Sequence, residues 1–180
     1  THKGDFLTEG KAALSGGVTT VIDMPNTLPF VSTTELLNQK IEILSKHAPV
    51  NFSLFFGARK EHLHNILKLE KGMCAGVKAY MGESTSATVI DDDMIKTVIE
   101  MCGYTGLPLV VHSENAEIIR MNEIKFKNMF NKVPEIHYLV RSRDACIRST
   151  TTIINKTKEI MAEKKTNPHI HIAHVTTKEE

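Results

Sequence analysis

Charge of one sign is what this sequence most clearly lacks. Its 22 Lys and Arg stand against 21 Asp and Glu, a formal net charge of +1, and no block of like charges occurs. Nucleic acid or an anionic membrane surface therefore has no patch to engage. Long apolar runs are missing too, and none approaches the roughly 18 residues of a membrane span. The opening THKGDFLTEG is polar and carries no hydrophobic region of a secretory signal. Cysteine is scarce: Cys74, Cys102 and Cys146 are odd in number, far apart and outside any Cys-x-x-Cys spacing. Such a set makes no disulfide framework and points to reduced thiols in a cytoplasmic protein. Internal repeats, low-complexity tracts and linkers are also absent. With 41% hydrophobic and 24% charged residues, what remains is an ordinary globular domain, and residues 1–180 are too few for two comfortable ones.

What is present is an alternation of short β-branched runs with longer stretches of helical spacing. Strands are predicted over Val18 to Met24, Val50 to Phe56, Gly76 to Tyr80, Leu107 to His112 and His169 to His174. Helices are predicted over Asp5 to Leu14, Thr33 to Lys46, Lys60 to Leu69, Asp92 to Cys102, Ala116 to Phe130 and Asp144 to Glu163. Gly16-Gly17 supplies a C-cap signal, and Thr33 or Thr34 an N-cap hydroxyl. Lys125 to Arg143 reads as a long irregular loop on the active-site side. Several strands are apolar on both faces, as parallel strands covered by helices must be. This order means an α/β fold with a parallel sheet, either doubly wound or a barrel. The first strand runs into Met24-Pro25-Asn26-Thr27 with no glycine-rich phosphate loop, so the dinucleotide-binding alternative loses its best support.

In a barrel the chemistry gathers at the C-terminal ends of strands. Those ends offer Asn26, then Lys78 inside the apolar GVKAYM, His112 in VVHSEN and His174 in IAHVTT. Each has a plainer reading: a strand-end histidine is often just hydrogen-bonded, and a lysine can snorkel out of a sheet. Their conjunction at equivalent positions argues for a metal site instead. A buried lysine is costly as a cation, and a lowered pKa makes its amine a nucleophile toward carbon dioxide. The carbamate so formed is an anion with two oxygens that can bridge two metals. HIHIAH holds three histidines, and strand alternation puts His169 and His171 on one face and His174 on the other. Position at the strand end favours His174, leaving His171 packed beneath a helix or hydrogen-bonded nearby. The His169–His171 pair, a familiar metal-binding spacing, stays a rival.

These residues sit in motifs that resemble one family. THKGDFLTEGKAALSGGVTTVIDMPNT resembles the segment after the His-x-His-x-Arg motif of dihydroorotases, amidohydrolases of the cyclic amidase branch. GVKAYMGEST resembles their carboxylated-lysine strand, VVHSEN and HIHIAHVTTKEE their two later histidine strands, and RSRDAC at Arg141 to Cys146 their arginine-rich stretch. The resemblance covers nearly the whole chain. It implies a partial (β/α)8 barrel of the metal-dependent amidohydrolase type, about strands 2 to 6, forming one incomplete catalytic domain. Two divalent metal ions, zinc in most of the family, would be bridged by N6-carboxylysine at Lys78, with His112 and His174 as ligands of the second. Asn26 would bind the substrate carboxylate, and Ser84 and Thr85 would fall in a loop that contacts substrate in some members.

The implied activity is reversible hydrolysis of dihydroorotate to N-carbamoyl-L-aspartate in pyrimidine biosynthesis, on a small-molecule substrate. A homodimer and an association with aspartate transcarbamoylase are open to such a protein. The family's His-x-His pair and its catalytic aspartate do not occur in the sequence. The expectation is therefore a portion of a longer protein that is inactive by itself. Two other functions fit the same residues: a hydantoinase or allantoinase, and a non-catalytic homologue that partners aspartate transcarbamoylase.

Overall fold

The structure is a computed structural model that describes residues 4–82, 89–127, 129, 136–163 and 165–180. Helix α1 (Phe6–Ser15) opens on a reciprocal cap: the Asp5 carboxylate accepts from Thr8 N at 2.8 Å while the Thr8 hydroxyl accepts from Asp5 N at 3.1 Å. Strand β1 (Thr20–Asp23) leads into α2 (Thr34–His47), capped by the Thr33 hydroxyl. Strand β2 (Asn51–Gly57) follows, then a 3-10 helix over Lys60–Lys68. Its Leu63 and Ile66, with Leu69 at its C-cap, recur every third position, which aligns them on one face when there are three residues per turn. Next come β3 (Gly76–Tyr80), α3 (Met94–Thr105) and β4 (Leu109–His112). Helix α3 ends at Gly106, whose φ of 69° is the left-handed conformation that glycine takes without a Cβ penalty.

Beyond β4 lie α4 (Ala116–Lys125), α5 (Ile136–Val140), α6 (Arg143–Ala162) and β5 (Ile170–Ile172). The stretch read as irregular thus contains one helical turn. Ile136 and Val140, four residues apart, bury themselves with Ile119 and Ala145 in a small core of their own.

All five strands are parallel and stand in chain order, β1-β2-β3-β4-β5. A doubly wound sheet reverses its order at a switch point, whereas a barrel does not. Helices and the 3-10 segment cover one face, where Leu54, Phe56, Val77, Ala79, Leu109 and Val111 join the main core. Alternation sends Lys78, Tyr80, Val110 and His112 to the opposite face. There Tyr80 is opposite His112, and Lys78 is opposite Val110, which in turn is opposite His171. Among the described residues no helix is long and apolar enough to cross a membrane.

Candidate metal and substrate site

Lys78 occupies the middle of β3 and is 2% exposed. Its Nζ is the one buried side-chain nitrogen or oxygen among the described residues that lacks a hydrogen-bond partner. It lies 4.6 Å from the centroid of the Tyr80 ring, which softens but does not satisfy a buried ammonium. Burial lowers the amine from its ordinary 10.5 to about 8, so a nucleophilic free base comes within reach of neutral pH. Tyr80 moves the other way: burial and the Asp23 charge push its phenol up to about 12, so it stays neutral beside the lysine.

His112 closes β4 next to Tyr80, their ring centroids 6.1 Å apart. Its Nδ1 faces His174 Nε2 at 2.9 Å, and its Nε2 lies 2.5 Å from Glu114 Oε2. Arg141 Nη1 donates to the same Glu114 oxygen. Burial pushes the Glu114 carboxyl up, but the hydrogen bond from His112 and the Arg141 charge outweigh it and hold the group below its ordinary range.

The relation of His174 to His171 differs from the sequence expectation. Strand β5 stops at Ile172, and His174 has a left-handed φ of 42°, so two-residue alternation does not extend to it. Both histidines line one open cleft of about 370 Å³, together with Ile22, Met24, Phe55 and Val110. They share the face that alternation had divided, and His171 is exposed rather than packed beneath a helix. A larger groove of about 700 Å³ runs between α1, β1 and α2, but its walls include none of Lys78, His112 and His174. Of those three, His174 alone lines the smaller cleft.

Asn26 is half-buried in the turn after β1, where Thr27 N and Val31 N both donate to Pro25 O, at 2.9 and 3.0 Å. Strands β2 and β3 separate β1 from β4. The sheet therefore brings His112 and His174 together, sets Lys78 one strand away and leaves Asn26 at the far side. Ser84 and Thr85 lie outside the described residues. Tyr80, Glu114 and Arg141 are neighbours that the sequence reading did not single out. The signal was available for the first two: each stands two residues after a candidate ligand, the spacing that returns a strand to the same face.

Among the described residues, no group of three or more His, Cys, Asp or Glu side chains is gathered as for a metal. The donors that fit one are of another kind: two imidazole nitrogens facing each other and a buried amine without a partner. Two ring nitrogens facing each other at 2.9 Å need a proton or a cation between them.

No protein-family model matches the chain. By sequence it is similar to the dihydroorotase of Methanosphaera stadtmanae, 29% identical over 180 residues that cover 99% of this chain and 39% of that enzyme. It is also similar to an allantoinase of Streptomyces avermitilis, 29% identical over 119 residues covering 64% of this chain and 26% of the relative. In structure it resembles an L-hydantoinase (dihydropyrimidinase) of Arthrobacter aurescens, with a TM-score of 0.86 at 23% identity over 96% of this chain and 37% of that one. The chain thus spans well under half the length of these relatives. The structural likeness establishes the fold: the five strands are laid out as in part of that enzyme's (β/α)8 barrel. Sequence and fold thus agree along nearly its whole length in likening the chain to cyclic amidohydrolases, among them dihydroorotases, an allantoinase and an L-hydantoinase.

Proposed function

We propose that this chain serves in a dihydroorotase, hydrolysing dihydroorotate reversibly to N-carbamoyl-L-aspartate. The observation that carries the reading is the Lys78 amine, buried without a partner one strand from the facing histidines. Attack of its lone pair on the carbon of carbon dioxide, with loss of a proton, converts it to a carbamate anion with two oxygens. That group, His112 and His174 would hold two divalent ions, zinc by the resemblance. When bound, such ions supply a water of lowered pKa and polarise an amide carbonyl. Asn26 donates from its side-chain amide to the substrate carboxylate and so orients the ring. The choice of dihydroorotate within the family is favoured by coverage: the dihydroorotase match spans 99% of the chain, the allantoinase match 64%. On this reading residues 1–180 form an incomplete part of one catalytic domain of a cytoplasmic protein, and a homodimer and contact with aspartate transcarbamoylase are its expected assemblies.

Turnover by the full-length protein of dihydroorotate, hydantoin and allantoin, measured side by side, tests the substrate. Preference for dihydroorotate is expected, and preference for either alternative transfers the site to that chemistry. Lys78→Ala should abolish turnover and lose the paired metals, with partial rescue by short carboxylic acids that replace the carbamate. An alanine variant with normal metal content and rate would end the carbamate role.

A further inference from the structure

The loop that leaves β4 is pinned on both sides of Glu114. Ser113 Oγ shares a 2.7 Å hydrogen bond with Thr150 Oγ1 on α6. Asn115 caps α4 by accepting from Ile118 N at 3.0 Å, and its own N–H donates to Ala145 O at 3.0 Å. The Glu114 side chain, 10% exposed, has little freedom left. Gly82 forms the wall behind it: a Cβ there would stand 2.8 Å from Glu114 Cβ and 3.2 Å from Oε2, so the carboxylate occupies room that only glycine leaves. On another side Arg141, between α5 and α6, donates to Oε2.

An ionised carboxylate only accepts, so the Nε2 of His112 at 2.5 Å must be the donor. A neutral imidazole protonated at Nε2 carries a bare lone pair at Nδ1, and that atom is the one 2.9 Å from His174 Nε2. We propose that Glu114, braced by Arg141 and seated against Gly82, is a positioning residue that fixes His112 as its Nε2–H form and aims Nδ1 at His174, so that the two rings present their nitrogens to one cation. A carboxylate behind a metal-bound imidazole holds the ring's orientation and raises its basicity. The purpose of the arrangement rests on reading His112 as a metal ligand; the hydrogen bond itself does not.

Two measurements on the full-length protein separate those parts. In metal-free protein labelled with 15N-histidine, the His112 Nε2–H proton should appear downfield and disappear in Glu114→Ala. In Glu114→Gln it should persist but move upfield, because a neutral amide oxygen is the weaker acceptor. Zinc affinity, from competition with a chelating dye, should fall about ten- to a hundred-fold in Glu114→Ala and recover most of the way in Glu114→Gln. An unprotonated Nε2 in the wild type, or a resonance that does not move in Glu114→Gln, overturns the proposal, and the glutamine variant keeps that test available should alanine prevent folding. Equal zinc affinity in wild type and Glu114→Ala overturns it as well. If His112→Ala then loses zinc, only the positioning role has failed; if it too binds normally, the ligand reading of His112 has failed with it.

Discussion

The two faces of the sheet are built from alternate residues of the same strands, yet they obey different rules. Toward the helices, Leu54, Phe56, Val77, Ala79, Leu109 and Val111 are all apolar and at most 2% exposed. Such a surface needs only shape and volume, and its stabilisation comes from area removed from water. The opposite face holds Lys78 without a partner, Tyr80, His112 joined to Glu114, and Ile22 at 48% exposure. A buried polar atom left unsatisfied costs free energy that packing does not return. Groups of that kind mark sites of chemistry more often than of stability. One strand therefore supports the fold with its odd residues and the function with its even ones, as Val77 and Ala79 against Lys78 and Tyr80 in β3.

Substitution can break that contrast. The largest effect is expected from Phe56→Ala on the helix side, where Phe56 is fully buried: about 3–5 kcal/mol lost, read from thermal or chemical unfolding of the full-length protein. Phe55→Ala, one residue earlier and half-buried in the open cleft, should cost less than half as much. Equal losses would mean that the two faces are packed alike.

A smaller effect sharpens the contrast through pH. The folded Lys78 amine has a pKa of about 8 against its ordinary 10.5, so between those values the unfolded chain binds the extra proton. Stability of metal-free, carbonate-free protein should therefore rise with pH through that window, by up to about 1.4 kcal/mol per pH unit from this group. Lys78→Met, which titrates nothing, should show a flatter profile and be more stable at pH 7 by about 1–3 kcal/mol. Denaturant unfolding at stepped pH checks both, and parallel profiles would mean that the lysine is solvated.

The smallest shift concerns the histidines of the last strand. His171 is exposed, so His171→Ala should change stability by no more than about 0.5 kcal/mol and leave metal content intact. His174→Ala should lose metal with little change in melting. Zinc analysis and melts of the two variants under saturating zinc decide between them, and metal loss in His171→Ala would return the Lys78–Val110–His171 row to consideration.

Local physics made most of the architecture legible in the sequence. The central strand Gly76–Tyr80 was readable to the residue, because β-branched and apolar residues there are bounded by turn formers on both sides. Helix α2 was readable from its apolar spacing and the Thr33 hydroxyl. What escaped was set by contacts distant in sequence. Ile136–Val140 becomes helical because Ile119 and Ala145 offer an apolar seat, which composition alone does not reveal. Strand β5 is Ile170–Ile172, shorter than the histidine pattern implied, because the chain turns left-handed at His174. At the site, the end of β4 drew attention to His112, and a lysine inside an otherwise apolar strand drew attention to Lys78. Glu114 went unremarked because its significance depends on Arg141, which arrives from the far side of α5.

The chain-ordered sheet also bears on how the molecule comes into being. Each strand pairs with the one translated just before it, so each βα unit can add to an existing edge as it leaves the ribosome, with modest loop-closure entropy. The His112–His174 contact does not share that locality, since it spans 62 residues and waits for α6 and β5 to dock. A nascent chain paused before Ile170 would own a helix-backed sheet, the buried lysine and one histidine of the pair. The meeting of the two rings is thus a late event of biogenesis, timed by the arrival of the fifth strand.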